Sequence, residues 1–235
     1  LKALLNAGAK PGLVVRPSAV PVAGQPQPQS QHQAPGSTGG EAPVPTLDTA
    51  LHLACAAAST SGHVECVRLL LAARSDVHAR GSYGRTPLLA AVRSGQAPEH
   101  VLAVVQALLA AGCDVHATVL EDGMTALMSA ARAGRAELAE VLLRAGARVS
   151  DVSSMGRTAL LHAAACGHAA VVRLLLRTGA SLSAGPAGGF NPLAWAASLA
   201  RRSGGMSAVQ ALHSHAEARG DADVLRVLQP FVAVA

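Results

Sequence analysis

A six-residue pattern recurs five times along the chain and decides the fold. It reads Thr49-Ala50-Leu51-His52-Leu53-Ala54 at its first occurrence, and the other four copies begin at Thr86, Thr125, Thr158 and Asn191. Successive copies lie 37, 39, 33 and 33 residues apart. Self-similarity at a nearly fixed period is the sequence signature of stacked repeats. The pattern therefore predicts a solenoid of thin layers instead of one thick globular core.

Each copy of the pattern is followed by two stretches whose apolar residues have helical spacing, with a glycine-containing loop between them. In the unit that begins at Thr158, the second stretch carries Val171, Val172, Leu175 and Leu176. Gly179 ends that stretch, and the equivalent end points in the other units are Arg74, Gly112 and Gly146. Two helices and a turn therefore fill one period, which predicts an all-α fold.

This unit resembles the ankyrin repeat, which begins with Thr-Pro-Leu-His-x-Ala. Residues 49–54 depart from that hexamer only by Ala50 in place of Pro, and residues 76–79 and 114–117 are similar to the family's Asp-Val-Asn-Ala, with His in place of Asn. The resemblance covers residues 47 to about 200. It implies an ankyrin solenoid of stacked helix-turn-helix units with β-turn fingers, in which His52 hydrogen-bonds between turns.

The chain divides into three predicted segments and is expected to be a fragment of a longer protein. Residues 1–10 match the end of a preceding repeat, and residues 11–46 are a Pro/Gln-rich insertion. That composition buries too little apolar surface to offset the entropy of ordering, so we expect a flexible loop, with a docking motif as the alternative. Residues 47–235 form the repeat domain, with units starting near 49, 86, 125, 158 and 191.

Departures from the 33-residue period predict where residues have been added. The first unit is expected to carry extra residues between its helices, around 58–61, the second unit carries extra residues near 97–101, and the finger near Val119 carries one more. The unit that starts near 191 is degenerate and is expected to cap the stack or to begin another repeat, with its outer helix within 209–232.

Composition and motifs argue against several classes of function. The longest nearly apolar stretch, Val101 to Cys113, is shorter than the ~18–20 residues of a membrane-spanning helix. The net charge of +5 comes without basic clusters and with four aromatic residues, so nucleic-acid binding is not favoured. No phosphate-binding, metalloprotease or serine-hydrolase motif is present, and Cys166 and His168 lack a third orienting group. We therefore expect no catalytic residue, cofactor or metal site.

The four cysteines are scattered without metal-ligand spacing, so we expect small buried thiols in a reducing compartment. This favours an intracellular protein, cytoplasmic or nuclear. The resemblance implies a non-catalytic protein-protein interaction scaffold, expected to be monomeric and to have no small-molecule substrate. The alternative is a substrate-recruiting or regulatory region of a larger enzyme, such as a kinase, ubiquitin ligase or acyltransferase.

The resemblance also implies that a partner binds the finger tips and inner helices on the concave face of the solenoid. The residues at those positions are Arg80, Ser82, Tyr83, Arg85, Arg93, Ser94, Glu121, Asp122, Met124, Arg132, Met155, Arg157 and Phe190. Tyr83 is the only tyrosine, and the nearby arginines favour an acidic or carboxylate-bearing partner. Arg85 and Arg157 have a second interpretation, because Gly-Arg-Thr is common in the family.

Overall fold

The structure is a computed structural model that describes residues 48–181, 194, 197, 198, 202 and 206–232. Residues 1–10, the predicted insertion at 11–46, the start of the fifth unit at Asn191 and the predicted contact residue Phe190 all lie outside the described residues. Within the described residues, the regular secondary structure is helical, apart from one isolated β-bridge that joins Thr118 to Thr125.

Within residues 48–181 there are four pairs of α-helices, and residues 206–232 form two further helices. They are α1 (Ala50–Ala56), α2 (Ser61–Ala72), α3 (Pro87–Arg93), α4 (Pro98–Ala110), α5 (Ala126–Arg132), α6 (Ala136–Arg144), α7 (Ala159–Ala165), α8 (Ala169–Arg177), α9 (Met206–Arg219) and α10 (Ala222–Val232). The predicted two-helix unit is therefore confirmed for the copies that begin at residues 49, 86, 125 and 158.

The threonine of each pattern begins its helix by capping it. Thr49, Thr86, Thr125 and Thr158 are the N-cap residues of α1, α3, α5 and α7, and each side chain accepts a hydrogen bond from a backbone N–H three residues later. This bond satisfies one of the amide groups that a helix leaves without an internal partner at its start. The recurring threonine is thus the local reason that these helices begin in register.

The helices form two layers. The short helices α1, α3, α5 and α7 pack against one another in sequence and form the inner layer, whereas α2, α4, α6 and α8 form the outer layer. The core between the layers consists of leucine, valine and alanine, including Leu51, Leu88, Leu127 and Leu160, each at most 1% exposed. Small side chains such as Ala91 and Ala130, both fully buried, allow the helices to approach closely. Burial here does not depend on aromatic residues.

The added residues of the first unit mostly lengthen its outer helix, which begins at Ser61, so the prediction that they lie between the helices was wrong. Helices α2 and α4 have 12 and 13 residues, whereas α6 and α8 have nine each. In the second unit the added residues lie near 97–101, as predicted, and α4 begins there with Pro98 at the first helical position. Both long helices therefore extend by about one turn at their N-terminal ends.

The carboxyl-terminal region also differs from the expectation of a single outer helix. Helix α9 packs against α8, ends at Gly220, which has a φ of +70°, and is followed at once by α10, which packs against α9. The prediction placed a helix within 209–232, where the structure has two helices joined by a tight turn. None of the described helices has the length and apolar character needed to cross a membrane.

Candidate partner-binding site

The fingers are the segments that lead from an outer helix to the next inner helix. Each ends in a turn closed by backbone hydrogen bonds, between Gly81 and Arg85, Val119 and Met124, and Ser153 and Arg157. The turn at Val119 spans one residue more than the other two, which confirms the extra residue predicted there. Leu120 donates its N–H to the carbonyl of Tyr83 at 3.2 Å, and Ser154 donates to Asp122 at 3.0 Å. These bonds connect consecutive fingers into one continuous surface.

His52 links the first unit to the first finger. Its Nδ1 accepts the N–H of Thr49 at 3.3 Å, and its Nε2 lies 2.8 Å from the carbonyl oxygen of Arg85, to which it donates. The imidazole is only 2% exposed. The hydrogen bonding between turns that the sequence predicted for His52 is therefore confirmed, and this histidine has a structural role.

Tyr83 occupies a strained position at the tip of the first finger. Its backbone has φ 59° and ψ 23°, Gly84 follows with φ 67°, and the N–H of Arg85 donates to the carbonyl of Ser82 at 3.3 Å. Two consecutive left-handed residues in a hydrogen-bonded turn resemble a type I′ turn, where Asn, Asp and Gly are favoured. A tyrosine there costs conformational energy, and its side chain is 58% exposed. The fold thus holds a large aromatic ring in solvent at an energetic cost.

Arg85 supports the Tyr83 ring and is itself paired. Its guanidinium carbon lies 4.8 Å from the centre of the Tyr83 ring, and one guanidinium nitrogen lies 3.7 Å from a carboxylate oxygen of Glu121 on the next finger. Its Nε is buried and has no hydrogen-bond partner among the described residues. A cation over an aromatic face restricts the ring, so Tyr83 projects from the finger in a fixed orientation.

The remaining arginines of the predicted patch are also engaged within the molecule. Arg80 donates to the carbonyl oxygens of Gly84 at 3.0 Å and Thr118 at 3.2 Å. Arg93, at the end of α3, lies 3.0 Å from a carboxylate oxygen of Asp122. Burial alone would raise the pKa of the Asp122 carboxyl, but hydrogen bonds from Met124 and Arg93 and the nearby arginine charges outweigh it and lower that pKa. The ion pair between Arg93 and Asp122 is therefore maintained at neutral pH.

Among the described residues, Met124 is the one predicted contact residue that lies in the core. It is 2% exposed, and its sulfur lies 4.0 Å from a guanidinium nitrogen of Arg132. The expectation that Met124 is available to a partner was wrong, because its side chain is buried where the second finger joins α5. Arg132 and Glu121 are exposed, and Ser82, Ser94 and Asp122 are half-buried.

The third finger carries the remaining predicted residues. Met155 is 68% exposed at its tip, and Arg157 is half-buried before the capping Thr158. Tyr83, Asp122 and Met155 occupy equivalent places in the three fingers, directly before the glycine of Gly-x-Thr. The structure therefore places them on one surface formed by consecutive fingers.

Three exposed apolar residues on this side of the molecule were absent from the sequence prediction. Leu120 and Val152 lie on fingers and are 66% and 55% exposed, and Leu53 lies on α1 with 45% exposure. Leu53 was read as part of the recurring pattern, where apolar residues point to the core. Its helical position, four residues after the capping Thr49, faces away from the core in this unit, and the same position is occupied by Ala90 in the next unit.

A cavity of about 160 Å³ opens between α1 and α3 beside the first finger. Leu53, Ala56 and Ala90 line its apolar side, and Ser82, Arg85 and Arg93 are among its polar lining residues. Four residues that the sequence predicted as partner contacts therefore line one cavity, namely Ser82, Arg85, Arg93 and Ser94. A cavity of this size can receive one side chain of a partner. Among the described residues that line it, no nucleophile is oriented by a neighbouring base.

Buried titratable groups elsewhere have no catalytic arrangement. Burial, together with the charges of Arg157 and Arg132, lowers the pKa of His162, on α7, to about 4, while Asp122 acts in the opposite direction. Burial raises the pKa of the Cys55 thiol to about 12. The expectation of buried thiols is correct for Cys55, whereas Cys166 is exposed. Within the described residues, no group of three or more His, Cys, Asp and Glu side chains is placed to hold a metal ion.

Comparison with known proteins agrees with the geometry. A family model described as ankyrin repeats (3 copies) matches residues 35–119 and 97–185. No curated protein sequence matches the chain. The matched residues together span more than half of the chain, and they contain the capped inner helices, the fingers and the outer helices described above. The chain belongs to the ankyrin repeat family.

Proposed function

We propose that this protein binds a partner protein through a surface formed by the fingers and the inner helices α1, α3 and α5, on the concave face expected for a solenoid. Ankyrin repeats are generally protein-protein interaction modules. The observation that carries the choice of surface is Tyr83, an exposed aromatic residue that the fold keeps in a left-handed turn position. Local strain of this kind is concentrated at binding and active sites.

The surface around Tyr83 has the composition of an interface centre. Tyrosine and arginine are enriched among residues that dominate binding energy, and the ring is already restrained by Arg85. Restraint before binding lowers the conformational entropy that association must overcome. The hydrogen bonds between neighbouring fingers have the same effect on the backbone.

An acidic partner has less support than the surface itself. Arg85 and Arg93 each lie within 4.0 Å of a carboxylate of the same chain, Glu121 and Asp122, so a partner carboxylate would compete with these groups. Arg132 has no carboxylate within ion-pair distance among the described residues, and its side chain is exposed. We therefore propose Arg132 as the contact for a partner carboxylate, at the edge of the surface.

The direct test is affinity capture from an extract of the cells that express this gene. Wild-type protein is compared with Tyr83→Asn, which removes the ring but suits the left-handed backbone. Arg68→Asn serves as the control, because Arg68 lies on outer helix α2, and its 3.8 Å ion pair with Glu65 is exposed. We expect proteins that are captured by wild type and by the control, and lost with Tyr83→Asn. Equal recovery with all three proteins would contradict the proposed surface.

Several expectations from the sequence stay predictions. They are an intracellular location, a monomeric state, and the division into residues 1–10, 11–46 and 47–235. Attachment of these repeats to a catalytic domain, with the repeats selecting its substrate, is also still a prediction. The sequence of the complete gene product tests that alternative, since a catalytic motif beside the repeats would support it.

A further inference from the structure

We infer that the cavity between α1 and α3 receives one large apolar side chain from a peptide segment of the partner. This anchor cavity is lined by the apolar residues Leu53, Ala56 and Ala90 and by six polar or charged residues, which are Asp48, His52, Ser82, Arg85, Arg93 and Ser94. The inference rests on the proposed function, because the cavity opens on the surface that carries Tyr83. It adds the chemistry of the partner, namely an uncharged apolar anchor instead of an acidic one.

The anchor cavity is next to the strained turn. Ser82 and Arg85, the residues on either side of Tyr83-Gly84, both line it. Its volume is about 160 Å³, and cavities of roughly 150 Å³ lined by aliphatic side chains are large enough to hold benzene. One leucine, methionine or phenylalanine side chain is therefore of suitable size. A partner segment that contacts the Tyr83 ring has this cavity within reach of its next side chains.

Leu53, on the apolar side of the cavity, is more exposed than the equivalent residues of the third and fourth units. Leu53 is 45% exposed four residues after its capping threonine. The equivalent residues of the third and fourth units, Ser129 and His162, are buried and 7% and 8% exposed. A large aliphatic side chain in solvent at the base of a concavity gains from being covered by another apolar group.

Most of the polar groups around the cavity have partners; the exception is Arg85 Nε, which is buried and has no hydrogen-bond partner among the described residues. His52 uses both ring nitrogens, the Ser94 hydroxyl donates to the Ala91 carbonyl at 2.7 Å, and Asp48 accepts the Ser82 N–H at 2.8 Å. A polar or charged side chain of a partner would lose its hydration without gaining an equally good site, which makes such an occupant unfavourable.

The charged groups at the rim also compensate one another. Arg93 is paired with Asp122 at 3.0 Å, and Arg85 with Glu121 at 3.7 Å. The anchor cavity therefore has no uncompensated charge to attract an acidic residue. Binding driven by apolar burial, unlike binding driven by charge, is weakened little by added salt.

A displayed library of random peptides, selected on the full chain, tests this inference. We expect enriched peptides to share a Leu, Met or Phe whose replacement by Ala lowers affinity by about tenfold or more, as for a buried interface anchor. The same peptides should bind at least about tenfold more weakly to Leu53→Ser and to Ala90→Phe, whose ring fills the cavity. Their affinity should change by less than about threefold between roughly 0.05 and 0.5 M salt.

The control is Arg68→Asn, which changes an exposed side chain on outer helix α2, away from the fingers and the cavity. It should leave affinity for the selected peptides unchanged, and thermal unfolding confirms that each variant is folded. The inference is overturned if the enriched peptides share acidic residues and bind in a salt-dependent way, or if no enriched peptide is weakened by Leu53→Ser. It is also overturned if wild type self-associates and Leu53→Ser abolishes this, since a second copy is then the occupant.

The two proposals fail in different ways. If the selected peptides lose affinity for Tyr83→Asn but keep it for Leu53→Ser and Ala90→Phe, the proposed surface is supported and the anchor cavity is contradicted. Peptides that bind all of these variants equally contradict the surface itself.

Discussion

At the scale of single residues, Tyr83 carries the functional argument because its backbone and its side chain have opposing requirements. The left-handed turn favours Asn or Gly, yet the residue present is a tyrosine whose side chain is 58% exposed. A residue selected for stability alone would not be tyrosine at this position. The conflict between local preference and residue type is the pattern expected where binding, and not folding, determines the side chain.

The first prediction concerns the stability of Tyr83 variants. Tyr83→Asn should raise the free energy of unfolding by about 0.5 kcal/mol, because relief of roughly 1 kcal/mol of backbone strain exceeds the lost contact with Arg85. Tyr83→Val, whose β-branch suits the left-handed region poorly, should lower it by about 1 kcal/mol. Urea unfolding of the three proteins measures both changes. A more stable wild type than Tyr83→Asn would show that the turn is not strained.

The second prediction concerns His162 and acid. Its pKa in the folded protein is about 4 because of burial and the nearby Arg157 and Arg132, below the 6.5 of an ordinary histidine. The unfolded chain therefore binds the proton more tightly, and stability falls as the pH drops from about 6.5 towards 4. His162→Leu should lack this component, worth on the order of 2–3 kcal/mol. Parallel stability curves for the two proteins over this range would refute the assignment.

At the scale of helices, the repeats explain what sequence could and could not predict. The recurring pattern predicted the four described inner helices, which begin directly after Thr49, Thr86, Thr125 and Thr158. The added residues of the first unit were misplaced, because Ser61, Gly62 and His63 are weak helix formers and give no signal that α2 already begins there. The pairing of Arg85 and Arg93 was also beyond the sequence, since it depends on which residues of the next finger lie opposite them.

The third prediction tests how the lengthened α4 is held in place. Arg135, from the next unit, donates to the carbonyl oxygens of Ser94 at 2.7 Å, Gln96 at 3.3 Å and Val92 at 3.5 Å. These bonds satisfy the end of α3 and the loop before α4. Arg135→Ala should lower the free energy of unfolding by about 1.5–3 kcal/mol, because hydrogen bonds to a charged group are lost.

The control for Arg135→Ala is Arg144→Ala. Arg144 is 77% exposed, and its side chain pairs only with Glu140 on the same helix, at 2.6 Å. Exposed pairs of this kind contribute about 0.3–0.5 kcal/mol. Denaturant unfolding should therefore separate the two variants clearly, and equal effects would show that the contacts of Arg135 are not structural.

At the scale of the whole molecule, stability is expected to come from contacts between neighbouring units. Each unit is too thin to bury an apolar core by itself, so the interfaces between units supply the burial. This explains the composition of the chain, with few aromatics and many small residues at the inner helices. It also explains why the partner surface spans several units, since fingers from consecutive repeats are joined by backbone hydrogen bonds.

The fourth prediction measures one of these contacts between units. Gly123 and Gly112 both have positive φ, so an alanine at either position carries a similar backbone penalty of roughly 1 kcal/mol. A Cβ at Gly123 would also lie 2.8 Å from the backbone nitrogen of Ser154 on the next finger, whereas nothing lies within 4 Å at Gly112. Gly123→Ala should therefore be the more destabilising by at least about 1 kcal/mol in thermal or urea unfolding. Equal losses would show that the fingers separate freely.

The location of the binding surface is the central claim, and hydrogen exchange measured with and without the captured partner tests it most directly. We predict that binding slows exchange in residues 81–85, in the neighbouring fingers and in inner helices α1 and α3, and leaves the exposed ends of outer helices α2, α4, α6 and α8 unchanged. Protection confined to the outer helices, with no change in residues 81–85, would contradict the account.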